Sequence, residues 1–183
     1  MASAWDWLKQ RLSRRPDSEH GQALVRIVLI LLILSYVLLP SSRAGLDPVQ
    51  YRDVLAIVLG GLALSLAIFG WLLASPGRSD VRRAVGMLAD YGLMAAGMIR
   101  MGEPLAWVYI VVMWVTVGNG LRYGNRYLLA AVAMAVASFG TVVWATEFWH
   151  SVRALGLGLL AGLVAVPMYL SSLLRQLTRA TEE

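Results

Sequence analysis

Six stretches of the chain are almost wholly apolar, and its charged residues gather in the gaps between them. In order they cover residues 23–39, 54–73, 84–99, 104–117, 127–144 and 154–174. Several approach the ~20 residues that a helix needs to cross a bilayer. A backbone in lipid must satisfy its own hydrogen bonds, and a helix does so within one segment. The pattern therefore predicts an all-α fold, a polytopic transmembrane helix bundle with six spans. The third and fourth stretches are short. They read as thin or tilted spans or as a re-entrant pair, and losing both leaves an even number.

The flanks refine this. Trp5, Leu8 and Leu12 share one helical face while Lys9, Gln10 and Arg14 point elsewhere, which predicts an interfacial amphipathic helix ahead of the first span. Arg15-Pro16-Asp17-Ser18 breaks that helix. Asp17 or Ser18 can then cap the next one, with Glu19 in its first turn. At the other end Leu170, Leu174 and Leu177 follow a four-then-three spacing, read either as a coiled-coil seam or as plain packing. Gly158 and Gly162 form a G-x-x-x-G that allows close helix approach. No internal repeat is evident, which counts against an inverted-repeat transporter.

Composition excludes several classes. The chain has 183 residues, 58% of them hydrophobic, above the roughly 45–50% of soluble domains. It has no Cys, so disulfides, thiol nucleophiles and thiolate metal sites are excluded. Its two histidines, His20 and His150, cannot build a histidine-rich metal centre, and neither a metal nor a cofactor is expected. The excess of 16 Lys and Arg over 11 Asp and Glu gives +5, which a membrane surface explains better than nucleic acid.

The same charges orient the bundle. With the N-terminus inside, the inner segments hold Lys9, Arg11, Arg14, Arg15, Arg78, Arg82, Arg83, Arg122, Arg126, Arg175 and Arg179. The outer loops hold only Arg43, Arg52, Arg100 and Arg153, with Arg26 inside the first span. That bias predicts both termini in the cytoplasm. The first span superficially resembles a signal peptide, with Ser42-Arg43-Ala44 at a cleavage-like position, but its leader is long and the segment is expected to be retained. The tryptophans mostly flank the apolar runs, as an anchoring belt does.

Two features can carry chemistry. Asp90 falls near the middle of the third stretch, where an ionised carboxylate is expensive unless paired or hydrated, so it is expected to face the bundle interior. Arg26 and Arg122 lie on the cytoplasmic side and are its candidate partners. A structural ion pair, a ligand or switch role, and a proton relay all remain open. The second feature is Gly118-Asn119-Gly120-Leu121-Arg122-Tyr123-Gly124-Asn125-Arg126-Tyr127, an inner turn rich in donors. Arg122 offers a planar fork for carboxylate or phosphate, with Asn119 and Tyr123 beside it. The alternative is a basic turn gripping lipid headgroups.

As a set, these segments resemble the membrane input region of the RpfC-type hybrid sensor histidine kinases, receptors for the diffusible signal factor, a cis-2-unsaturated fatty acid. The resemblance rests on Trp7-Leu8-Lys9, Arg11-Leu12-Ser13, Asp17-Ser18-Glu19-His20, Gly86-Met87-Leu88, Gly102-Glu103-Pro104 and the stretch 113–124. It continues through Ala165-Val166-Pro167 and Leu173-Leu174-Arg175 to Thr178-Arg179-Ala180. The outer loops and the second span match poorly. The resemblance implies a sensory domain of a two-component quorum-sensing receptor in the bacterial inner membrane, acting as a homodimer. It reaches a response regulator only through a kinase part. The chain holds no phosphoacceptor box and no ATP lid, so it resembles an excised input domain that is not itself an enzyme.

On that basis residues 1–22 form a juxtamembrane sensor segment, 23–174 the bundle, and 175–183 the start of a signalling helix. The family's sensing residues map onto Asp17, Ser18, Glu19 and His20. Such receptors are usually drawn with five spans and that stretch in the periplasm, whereas the charge count gives six and places it inside. The expected ligand site combines those four residues with Arg26, Asp90, Asn119, Arg122 and Tyr123. Gly158, Gly162, Leu170, Leu174 and Leu177 are expected on the dimer or signalling helix. The alternative function is a transporter or carrier of a lipid-like anion.

Overall fold

The computed structural model describes residues 19–75 and 77–182, and all regular structure among them is helical. The order is α1 (Glu19–Val37), α2 (Pro40–Arg43), α3 (Pro48–Ala74), α4 (Asp80–Met101), a 3-10 turn (Glu103–Leu105), α5 (Val108–Tyr123), α6 (Asn125–Ala145), α7 (Glu147–Ser151) and α8 (Arg153–Glu182). Each of the six apolar stretches falls mostly in a long helix; the first runs two residues past α1 and the fourth begins in the 3-10 turn before α5. The interfacial helix expected around residues 5–12 lies outside the described residues.

Among the described residues, five segments are long and apolar enough to cross a membrane: Glu19–Val37, Pro48–Ala74, Glu103–Tyr123, Asn125–Ala145 and Arg153–Leu173. The third expected span, α4, is not among them. Its 22 residues suffice in length, but it carries Asp80, Arg82, Arg83, Asp90 and Arg100. Its polar groups are not scattered at random. Arg82, Met87, Asp90, Tyr91, Met94, Met98 and Met101 are all buried, and from Met87 onward they follow the three- and four-residue spacings of one helical stripe.

Two glycines end helices where a side chain would be strained. Gly102, at φ 68°, closes α4 with its N–H on the Met98 carbonyl at 2.9 Å. Gly124, at φ 88°, does the same for α5 on the Gly120 carbonyl and leads directly into α6. The expected donor-rich inner turn is therefore one residue wide.

The chain forms two compact units. One holds α1 and the residues up to Gly45 together with Leu55–Ala89; the other holds Leu46–Val54 together with the chain from Asp90 onward. In the second unit α5, α6 and α8 pack on one another. Ala131, Ala135, Phe139 and Val142 of α6 are all fully buried at spacings of four, four and three. The two alanines let backbones approach, which matters in lipid because apolar contact alone gives no advantage over lipid tails. Phe139 meets the Tyr109 ring at 4.9 Å and the Trp149 ring at 5.1 Å. The Tyr109 hydroxyl donates to the Leu159 carbonyl at 2.8 Å, tying α5 to α8. Leu46–Val54 is tethered through Asp53, whose carboxylate lies 3.2 Å from Arg100.

α8 is 30 residues long, about 45 Å at 1.5 Å per residue, against a hydrocarbon core of ~30 Å. It is continuous past residue 174.

Candidate functional site

The first unit places its charges at the beginning of α1. Glu19, Ala23 and Arg26 are the buried positions of that helix's first two turns, at spacings of four and three, so both charges face the packed side. Glu19 is only 6% exposed. An ionised carboxylate so buried needs charged partners, and two converge on it from the first turn of α4. Arg82 donates from Nε to Oε2 at 3.0 Å and from its terminal Nη2 to the same oxygen. Arg83 donates from Nε to Oε1 at 2.7 Å. Each carboxylate oxygen thus has its own guanidinium.

Arg82 is held further. Its Nη1 donates to the Ser75 carbonyl at 3.0 Å and its Nη2 to the Gly77 carbonyl at 2.8 Å, so the turn before α4 is folded around the side chain. Arg83 also lies 3.6 Å from the exposed Asp80. The Arg26 guanidinium packs on Gly86: a Cβ built there would fall 2.6 Å from Arg26 Nη2. His20 follows Glu19 with a buried Nδ1 that has no hydrogen-bond partner among the described residues. This cluster joins the start of α1 to the start of α4 through charge-assisted hydrogen bonds.

The second unit holds a polar network among apolar side chains. Asp90 and Tyr91 are buried, and the Tyr91 hydroxyl meets Thr116 Oγ1 of α5 at 2.9 Å. Thr116 in turn donates to the Val112 carbonyl at 2.7 Å. Ser138 of α6 donates to the Tyr91 carbonyl at 2.9 Å. Asn119, 1% exposed, lies beside the Tyr91 hydroxyl and donates to the Val115 carbonyl at 2.9 Å. Asp90 thus lies beside a hydrogen-bonded set that links α4, α5 and α6. The expectation that Asp90 is turned away from lipid agrees with its burial.

Not every expected residue joins these groups. Arg122 is exposed, and Tyr123 is half-buried with its ring 5.3 Å from that of Tyr127. Gly162 approaches Tyr109 within its own chain, since a Cβ there would lie 3.3 Å from the hydroxyl, whereas Gly158 faces open space. Leu170 borders a crevice between α5, α6 and α8. Asp17 and Ser18 lie outside the described residues, as do the side chains of Leu174 and Leu177.

Arg82 and Arg83 were absent from the expected site, counted only as topology markers. The signal that points to them is an acid in a first turn, with a pair of arginines opening another helix assigned to the same side by the charge count.

Helices long and apolar enough to cross a membrane, with a buried ionic cluster where α1 and α4 begin, fit the class of membrane proteins. Comparison with curated proteins finds a likeness to a sensory one. The chain is 44% identical over all 183 residues to the sensory/regulatory protein RpfC of Xanthomonas campestris pv. campestris, in strain ATCC 33913 and equally in strain 8004. That likeness along the whole chain supports an RpfC-type sensor domain. It covers 25% of the length of those relatives. No family model matches the chain, and no solved structure matches it significantly.

Proposed function

We propose that the chain is the membrane input of a two-component receptor, detecting a cis-2-unsaturated fatty acid at the start of α1 and passing a helix movement through α8 to a histidine kinase. The observation that carries this reading is the burial of Glu19 between Arg82 and Arg83. A fatty-acid carboxylate presents the same pair of oxygens as Glu19, so it competes for the same guanidinium forks. Exchange releases the start of α1 from α4. Ligand and Glu19 cannot both occupy the forks, which gives the two states the unequal ligand affinity that any switch requires.

In this reading the domain sits in the bacterial inner membrane with six spans and both termini in the cytoplasm. α8 emerges as the signalling helix of a homodimer, with Gly158 toward the partner copy. The response regulator is reached only through the kinase part.

The test is binding of a cis-2-unsaturated fatty acid to the chain in nanodiscs. Glu19→Ala, Arg82→Gln and Arg83→Gln are each expected to change affinity at least five-fold, as is Arg122→Ala if the inner turn contributes. Wild-type affinity in all of them would sink the assignment.

A further inference from the structure

Between α5, α6 and α8 lies a crevice of about 350 Å³, at the lower end of the roughly 300–1,000 Å³ typical of ligand pockets. Its walls have helical spacing. Val117, Gly120 and Leu121 line it from α5, Gly124 from the turn after it, and Pro167, Leu170, Ser171 and Arg175 from α8. Asn125 and Leu128 of α6 close the third side. Most of this lining is apolar or glycine, and the polar groups are Asn125, Ser171 and Arg175. Ser171 donates to Asn125 Oδ1 at 2.8 Å, which leaves the Asn125 amide hydrogens and the Arg175 guanidinium as the polar donors of the lining.

We propose that this crevice is an acyl-chain site, taking one medium-length apolar chain with a carboxylate head. The chain lies along Val117, Leu121, Leu128 and Leu170, and the head is received by Arg175 and the Asn125 amide. Three features select that occupant. An apolar wall favours a hydrocarbon, an arginine favours an anion it can grip with two donors, and the volume suits one short chain better than a two-tailed lipid.

The position gives such an occupant leverage. Pro167, inside α8, cannot donate to the Leu163 carbonyl one turn back, so the helix lacks one of its own bonds beside the crevice. An occupant here touches α8 on the C-terminal side of that gap and steadies the exit segment against the α5–α6 turn. Where the occupant is the fatty acid of the reading above, the inference rests on that reading and adds a second contact point on the output helix.

The test is photoaffinity labelling of the full chain in nanodiscs with a diazirine-bearing cis-2-unsaturated C12 fatty acid, and separately with a diazirine phosphatidylglycerol. The fatty-acid probe is expected to label peptides from 117–128 and 167–175. Ser171→Leu, which fills the crevice with a side chain a membrane helix tolerates, is expected to reduce that labelling about ten-fold. Arg175→Gln, which leaves the walls intact, is expected to reduce it at least three-fold. Labelling of these peptides that survives both variants overturns the proposal. So does preferential labelling by the phospholipid probe that the free fatty acid does not compete away. Labelling confined to α1 and the start of α4 overturns the crevice site and leaves the sensory reading standing, whereas no specific fatty-acid labelling anywhere removes both.

Discussion

Glu19 and Arg82 stand 63 positions apart in the chain and meet in a buried ion pair, each less than a tenth exposed. Neither tolerates removal of the other well, because the survivor is left as a buried charge.

Glu19→Gln is therefore expected to destabilise the chain by about 3–5 kcal/mol, the usual consequence of stripping one partner from a buried pair. Arg82→Gln is expected to cost more than Arg83→Gln, since only Arg82 also satisfies the Ser75 and Gly77 carbonyls. Unfolding of the three variants in one detergent provides the comparison. Equal midpoints for Arg82→Gln and Arg83→Gln would show that the turn around Arg82 holds without it.

How far this cluster was legible in the sequence differs between its members. Glu19 was visible as an acid in a first turn. Its partners were not, because periodicity reports which face a residue occupies on its own helix and nothing about which helix lies opposite. Asp90 was legible for a different reason: a carboxylate inside an apolar stretch has few options besides burial. The turn around Gly118–Gly124 was also legible as a special place, yet Arg122, its most conspicuous residue, is exposed. The donors that line the crevice, Asn125, Ser171 and Arg175, come from two helices. Only the packing of α6 against α8 joins them.

The close approach of α5 and α6 predicts a contrast between two glycines. A Cβ at Gly120 would lie 2.5 Å from a methyl carbon of Leu128 and 2.9 Å from its Cβ, so the whole side chain obstructs it. At Gly86 the obstruction is the tip of Arg26, which can swing aside. Gly120→Ala is expected to cost about 1–3 kcal/mol, the range of overpacked cores, and Gly86→Ala markedly less. Adding Leu128→Ala to Gly120→Ala is expected to recover part of the loss. Thermal unfolding of the single and double variants checks this, and the absence of any recovery would place the strain elsewhere.

Tyr91 and Thr116 give a milder expectation. Interhelical hydrogen bonds in membranes average ~0.6 kcal/mol and reach ~1.7, because the unfolded chain in lipid also finds partners. Thr116 keeps its bond to the Val112 carbonyl when the tyrosine hydroxyl is removed. Tyr91→Phe is expected to fall within that small range, with a Tyr91→Phe/Thr116→Val double-mutant cycle giving a coupling of the same size. A coupling several times larger would mean that Asp90 and Asn119 act with the pair as one unit.

The status of α4 is open to direct measurement, because a chain without cysteine accepts single probes cleanly. α4 satisfies the length of a span, but five charged residues keep it from being apolar enough on its own. If buried partners carry that charge across the bilayer, the segments on either side of α4 lie on opposite faces. Leu46→Cys and Glu103→Cys are then expected to react with an impermeant maleimide from outside intact cells, and Gly77→Cys only after permeabilisation. Reaction of Gly77→Cys and Glu103→Cys from the same side would mean that α4 does not cross. The bundle would then have five spans, and the Glu19 cluster and the exit of α8 would face opposite compartments. A fatty acid arriving from outside could meet Glu19 directly in that arrangement, whereas with six spans it must first cross or enter the membrane. The same three probes therefore decide the count of spans and the side from which the signal reaches its first contact.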